Sequence, residues 1–216
     1  MVSTPTSRSE IRRLPERGAY DRATIDAILD AGIVCHVGFV ADGTPVVIPT
    51  LYARRDDQVL FHGSAASRML RGLASGLELC LTVTHVDAIV LARSAFHHSL
   101  NYRSVVLFGV ATEIVDLDER AAALDYITES LVPGRVGYVR PMTDKEVRGT
   151  KVLALPIAEA SAKIRSGPPK DEPEDEDSEL WAGIIPVSYG IGDPEPDAVT
   201  SASTPMPRHV ADWSLG

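Results

Sequence analysis

The chain has 216 residues, 44% of them hydrophobic, and a formal net charge of −9 at neutral pH. That is enough apolar material for one well-buried domain with tails, and the acidic balance argues against a nucleic-acid binder. No apolar run approaches the roughly 20 residues of a membrane span, and the opening MVSTPTSRSEIRRLPERG lacks the apolar core of a secretory signal, so the expected location is the cytoplasm, away from membranes.

Residues 1–18 read as a flexible N-terminal arm. Tyr20 to Ala31 has Ile25, Ile28 and Leu29 at helical spacing, with Gly32 as its stop. The period then changes. Ile33 to Val40 and Pro45 to Ala53 read as two strands of a hairpin joined by the turn Ala41 to Thr44. Pro49 interrupts the second strand, which places it at an edge, a bulge, or a point where something other than a strand approaches the backbone. Cys35 and Cys80 lie inside apolar runs and read as buried thiols.

The next stretch, QVLFHGSAASRMLRGL from Gln58 to Leu73, carries the clearest chemical signal. Val59, Leu60 and Phe61 end a buried strand, Gly63 to Ser67 make a small-residue turn, and Met69, Leu70 and Leu73 recur at helical spacing. A strand that turns into a helix this way leaves free N–H groups at the positive end of the macrodipole, a seat for a phosphate. Ser64 and Ser67 add hydroxyls and Arg68 a guanidinium fork. The same residues also suit an ordinary N-capped helix with Arg68 and Arg71 solvated.

Leu77 to Thr84 and Ala88 to Ala92 read as two strands, and Ser104 to Val115 as a longer one that Gly109 would bulge or bend. Leu117 to Leu131 is a helix closing on Pro133-Gly134, Thr143 to Arg148 a shorter one, and Lys151 to Ile164 the last strand. About six strands with two or three helices point to a mainly β fold, a small closed or partly open barrel with helices at its margins. From Gly167 to Leu180 the chain reads GPPKDEPEDEDSEL, seven acidic residues against Lys170, expected to be a solvated loop. The Pro- and Ser-rich tail after Tyr189 ends with Trp213 and Leu215, apolar residues that suggest docking. His62, His85, His97 and His98 show no zinc spacing, so no metal site is expected. SAFHHS, Ser94 to Ser99, offers no third member for a triad, and no catalytic residue is assigned.

The order of hairpin, strand, HGSAASR turn, helix, YRSVVLFGVA strand, helix and late SAKIRSGPP and WAGIIP resembles the flavin-binding split-barrel proteins related to pyridoxamine 5′-phosphate oxidase. The nearest branch is the one that includes the nitroimidazole-resistance reductases, and the resemblance runs from Arg17 to Val187. It implies a homodimer of six-stranded Greek-key split barrels with FMN in clefts at the subunit interface. Phe61, His62, Gly63, Ser64, Ser67 and Arg68 match the family's phosphate and ribityl segment. Val47, Ile48, Pro49 and Thr50 match the strand beside the flavin ring. Tyr102, Arg103 and Ser104 match a segment that approaches the flavin, and Trp181 a late motif near the ring or the partner subunit. His36 reads as a core or interface histidine; this branch can place a polar residue there facing the flavin.

The resemblance therefore divides the chain into the arm, an FMN-binding barrel over 19–166, the acidic loop over 167–180, and an extension over 181–216 that packs on the barrel or the partner. The implied activity is transfer of hydride or electrons between flavin and a small-molecule substrate. NAD(P)H is the candidate reductant, although no dinucleotide fingerprint is present. The alternative is a non-catalytic store, sensor or docking module for flavin, deazaflavin or haem. True pyridoxamine-phosphate oxidases carry basic residues after the phosphate-turn arginine, on the second strand and after the late Trp. Here Met69 follows Arg68, no base precedes Arg54 on the second strand, and IIPVSYG follows the Trp segment. Vitamin B6 oxidation is not the expected activity.

Overall fold

The computed structural model describes residues 5–201 and 203–214. Helix α1 spans Arg22–Asp30, and the Asp21 carboxylate caps it by accepting from the Thr24 N–H at 2.9 Å. It buries Ile25, Ile28 and Leu29, each contributing roughly 1.5–3 kcal/mol of transfer free energy. The strands are β1 (Gly18–Ala19), β2 (Val34–Ala41), β3 (Thr44–Arg55), β4 (Gln58–Ser64), β5 (Glu78–Leu91), β6 (Ser99–Val110), β7 (Thr112–Glu113), β8 (Thr150–Pro156), β9 (Glu159–Arg165) and β10 (Gly183–Pro186). The further helices are α2 (Arg68–Ala74), α3 (Leu117–Leu131), α4 (Asp144–Gly149), α5 (Pro173–Glu176) and α6 (Arg208–Ala211).

The strands form one antiparallel sheet in the order β1-β9-β6-β5-β2-β3-β4-β8-β7, with β10 added beside β5. The sheet curls until its two ends share a core: Leu153 and Leu155 of β8 and Ala160 and Ala162 of β9 pack in one cluster with Val37, Phe61, Leu81 and Leu107. A second, smaller core lies on the outer face, where Ala123, Leu124 and Ile127 of α3 cover Ala53, Leu60, Val152 and Ala154. The fold is thus mainly β with peripheral helices, as expected, but has ten strands where about six were expected.

Three stretches differ from expectation, and only the last of them adds a strand. Leu77–Thr84 and Ala88–Ala92 are one strand, because His85-Val86-Asp87 is not a turn: the register with β6 shifts by one residue between Val86 and Ala88, a β-bulge. Gly109, where a bulge was expected, sits in continuous register opposite Leu79; a Cβ there would come within 3.2 Å of Leu155 Cδ1. Lys151–Ile164 is two strands in different parts of the sheet. Pro156 ends β8, Ile157 donates its N–H to Asp57 O at 2.8 Å, and the chain crosses to β6 as β9.

The segments flanking the barrel are anchored to it. Arg8 pairs with Glu159 of β9 at 2.5 Å, and the Ile11 N–H donates to the Tyr20 hydroxyl at 2.8 Å. In the acidic segment the Asp171 carboxylate, almost fully buried, accepts from the Arg93 N–H at 2.8 Å and from its guanidinium at 2.9 Å. At the C-terminal end the Trp213 indole N–H donates to Leu131 O at 2.7 Å; Leu215 lies outside the described residues. No helix among the described residues is long and apolar enough to cross a membrane.

Candidate functional site

The sheet is split between β3 and β4. These strands pair only from Tyr52–Arg55 to Gln58–Phe61. Beyond that point Thr44–Leu51 pair with β2 alone, and His62, Gly63 and Ser64 pair with β8 alone. Tyr52 donates its N–H to Ile33 O on the β2 side at 3.3 Å. Backbone groups alternate sides along a strand, so Leu51, Pro49 and Val47 direct theirs to the open edge. Pro49 therefore sits where its missing N–H removes no ladder bond.

The other lip of the opening is the phosphate-seat sequence. Ser67 caps α2, accepting from the Leu70 N–H at 3.4 Å, and Ser64 Oγ accepts from the Ala66 N–H at 3.2 Å. Both hydroxyls keep a hydrogen to donate. A Cβ at Gly63 would come within 3.0 Å of Leu70 Cδ1, so the strand and α2 meet closely here and a larger residue would make the Leu70 side chain shift by a few tenths of an ångström. Arg68 and Arg71 form no ion pair among the described residues, and with Asp42 they line a cleft of about 350 Å³ beside the β2–β3 turn. His62 is half-buried, and its Nδ1 is shut from solvent with no hydrogen-bond partner. Desolvation lowers its pKa from the usual histidine value, so it is held as neutral imidazole.

The matched residues fall into two groups. Val47 (66% exposed) and Pro49 present side chains outward, whereas Ile48 packs against the barrel core and Phe61 is fully buried within it. Val47 to Thr50 and the segment from Phe61 to Arg68 flank the same opening. Tyr102, Arg103 and Ser104 do not: the sheet order puts β2 and β5 between β3 and β6, a separation of about 14 Å at ~4.8 Å per strand. Arg103 is also committed to Asp87 at the β5 bulge, at 3.0–3.2 Å, which raises its pKa. Ser104 Oγ donates to Lys163 O at 3.3 Å. Trp181 stands 69% exposed before β10, its indole folded over Gly183, where a Cβ would come within 2.9 Å of the ring.

Between the two groups runs an exposed face. His36 lies opposite Pro49 on one side and Thr82 on the other, with exposed Val34, Val40 and Val47 around it. Farther along, Ile185, Ile89 and Leu100 form a row across β10, β5 and β6, each 40–47% exposed. The roles of Arg93 and His209 were not visible in the sequence. Arg93 meets Asp171 across 78 positions, a contact no local pattern encodes. His209 packs edge-on against Tyr138 with ring centroids 5.1 Å apart, and its Nε2 is buried without a partner; the apolar Trp213 nearby was its only signal.

A family model described as pyridoxamine 5′-phosphate oxidase matches residues 21–164. Among solved structures, the flavocytochrome Anf3 from Azotobacter vinelandii is 41% identical, with a TM-score of 0.94 over 99% of this chain and 100% of its own. A protein described as FAD and heme binding from Mycobacterium smegmatis is 36% identical, with a TM-score of 0.88 over 91% of this chain and 96% of its own. A putative 5-nitroimidazole antibiotic resistance protein from Bacteroides thetaiotaomicron shares the fold at 22% identity and a TM-score of 0.56, over 68% of this chain and 86% of its own. No protein with a curated description matches. With its barrel matched from Asp21 to Ile164, the chain belongs to the pyridoxamine 5′-phosphate oxidase family.

Proposed function

We propose that this chain is a flavin- and haem-binding oxidoreductase that passes electrons between the two groups and a small molecule. The observation that carries this reading is the 41% identity, over 99% of the chain, to a protein described as a flavocytochrome. The flavin phosphate is assigned to Ser64, Ser67 and Arg68, and the ring to the open edge of β3 at Val47–Thr50. The residues fit such a group: a free arginine, two hydroxyls with hydrogens to donate, an unpaired strand edge and an unpartnered imidazole nitrogen on His62. FMN is the simplest flavin for this seat. FAD shares the same ribityl phosphate, and the description of the M. smegmatis relative favours it.

When bound, flavin supplies two-electron chemistry and haem one-electron chemistry. The chain's own part is to hold and shield them. Arg68 balances phosphate charge, the β3 edge supplies carbonyl and N–H groups, and neutral His62 can accept or donate one hydrogen bond without bringing a charge. A homodimer would complete the site. The second group, Tyr102–Ser104 and Trp181, lies too far from β3 to touch the same ring within one chain, and the exposed face between them is apolar enough to be covered by a second copy.

Pyridoxamine-phosphate oxidation is not the proposed activity. The first basic residue on β3, Arg54, is held by Asp30 through contacts of 2.7 and 2.6 Å, and both Arg54 and Arg55 lie in the stretch paired with β4, which leaves the open edge of β3, Thr44–Leu51, without a cation for a substrate phosphate. Anaerobic titration of the purified protein with NADH and NADPH, followed at the flavin and haem bands, tests the reading. Reduction of both bands supports an oxidoreductase with a nicotinamide reductant. Bands that no small reductant changes would leave a carrier.

A further inference from the structure

We infer that the cleft between α2 and the β2–β3 turn is a subsite for the second phosphate and the adenosine of FAD, with Arg71 as the cation that makes this protein select FAD over FMN. This rests on the flavin reading above and deepens it, since the turn from Ser64 to Arg68 serves either flavin alike. The opening in the sheet leads to the cleft. Away from the Tyr52–Phe61 pair, β3 runs back through Thr50 and Val47 to Thr44, while the other lip runs on through His62 and Ser64 into α2. The two lips therefore end at the β2–β3 turn and at α2, which are the walls of the cleft. A flavin with its ring beside Val47–Thr50 and its phosphate at Ser64–Arg68 has that phosphate at the mouth of the cleft, because Arg68 belongs to both. FMN stops there. FAD continues through a second phosphate into adenosine.

The lining suits that half of the molecule. Met69, Leu70 and Leu73 are buried on the core side of α2, which leaves Arg68 and Arg71, three positions apart, as neighbours on its outer face. Neither forms an ion pair among the described residues. Like charges side by side repel, and a pyrophosphate offers each guanidinium a phosphate of its own. The cleft, about 350 Å³, sets these two arginines against one carboxylate, Asp42, a positive balance in a chain whose net charge is −9. Phe39, Val40 and Leu77 supply apolar wall. Val40 and Leu77 are 56% and 36% exposed, apolar surface that a purine would take out of water. Asp42, in the left-handed region at φ 51°, makes no hydrogen bond among the described residues. Its carboxylate is the acceptor for the ribose hydroxyls, the use to which acidic residues are put in other adenosine sites.

The test is calorimetric titration of flavin-free protein with FAD and with FMN, in wild type, Arg71→Ala, Arg71→Lys and Asp42→Gly. Wild type should hold FAD at least about tenfold more tightly than FMN, the worth of one further charge-assisted hydrogen bond. Arg71→Ala should lose about 10–100-fold in FAD affinity and keep its FMN affinity, which also shows the fold intact. Arg71→Lys retains the charge without the fork and should recover part of the loss. Asp42→Gly, which tolerates the positive φ, should weaken FAD alone. Equal wild-type affinities for the two flavins overturn the inference, and so does an Arg71→Ala variant that loses nothing for FAD or loses equally for both. Unchanged FAD affinity in Asp42→Gly overturns the placing of the ribose. A protein that binds neither flavin overturns instead the flavin reading on which the inference rests.

Discussion

His36 of β2 lies directly opposite Pro49 of β3, both exposed on the outer face beside the open edge of the sheet. Neither side chain contributes to the barrel core. Replacing His36 with Ala should therefore change unfolding free energy by no more than about 0.5 kcal/mol, the usual range for a surface site. The flavin absorption envelope should still shift, because the group stacked there loses its imidazole neighbour. Urea denaturation alongside a visible spectrum separates the two effects.

Arg68 makes no ion pair among the described residues, so Arg68→Ala should leave the fold intact. Its cost should appear in flavin retention, weakened by ~1–3 kcal/mol as expected for a charge-assisted hydrogen bond. Equilibrium titration of the apoprotein with FMN and with FAD measures it. Unchanged affinity for both would remove the phosphate from this turn.

Arg54 and Asp30 should behave in the opposite way. Their paired contacts are partly screened, the two side chains being 22% and 49% exposed, so Asp30→Asn should cost about 0.5–1 kcal/mol of stability and nothing in flavin binding. A shift in the urea midpoint with unchanged flavin affinity is the expected result.

The extent to which these sites were legible in the sequence follows from how local their causes are. Helix α3 was readable to its ends because its apolar spacing, the Asp116 cap and Pro133-Gly134 are all local. So was the strand-turn-helix around Ser64 to Arg68, and so was Pro49 as an edge position. The bulge at Asp87 was not: the Arg103 side chain that meets Asp87 there comes from 16 residues away and across the ladder. The break at Pro156 was hidden inside an apolar run that suited one strand as well as two. The tethering of the acidic segment depends on Arg93 meeting Asp171, and the seating of the tail on Trp213 meeting Leu131 across 82 positions.

His62 should make stability depend on pH. Its pKa in the folded protein is depressed below the usual 6.5 by desolvation. The unfolded chain therefore binds more protons than the native one between the two values. The contribution is fully present above about pH 6.5 and is lost as pH falls through that value toward the folded pKa. Unfolding free energies measured from pH 7.5 to 5 should decline, and His62→Gln should flatten part of the slope. An identical slope in the variant would place the titrating group elsewhere.

The most direct test of the central claim is the visible absorption spectrum of the purified wild-type protein, with heat release and identification of its chromophores. The account predicts a two-band flavin spectrum, FAD or FMN in the supernatant, and a Soret band after haem is supplied. A colourless protein that takes up neither flavin would contradict it, leaving the open edge of β3 and the turn at Ser64 to Arg68 as features of the fold alone.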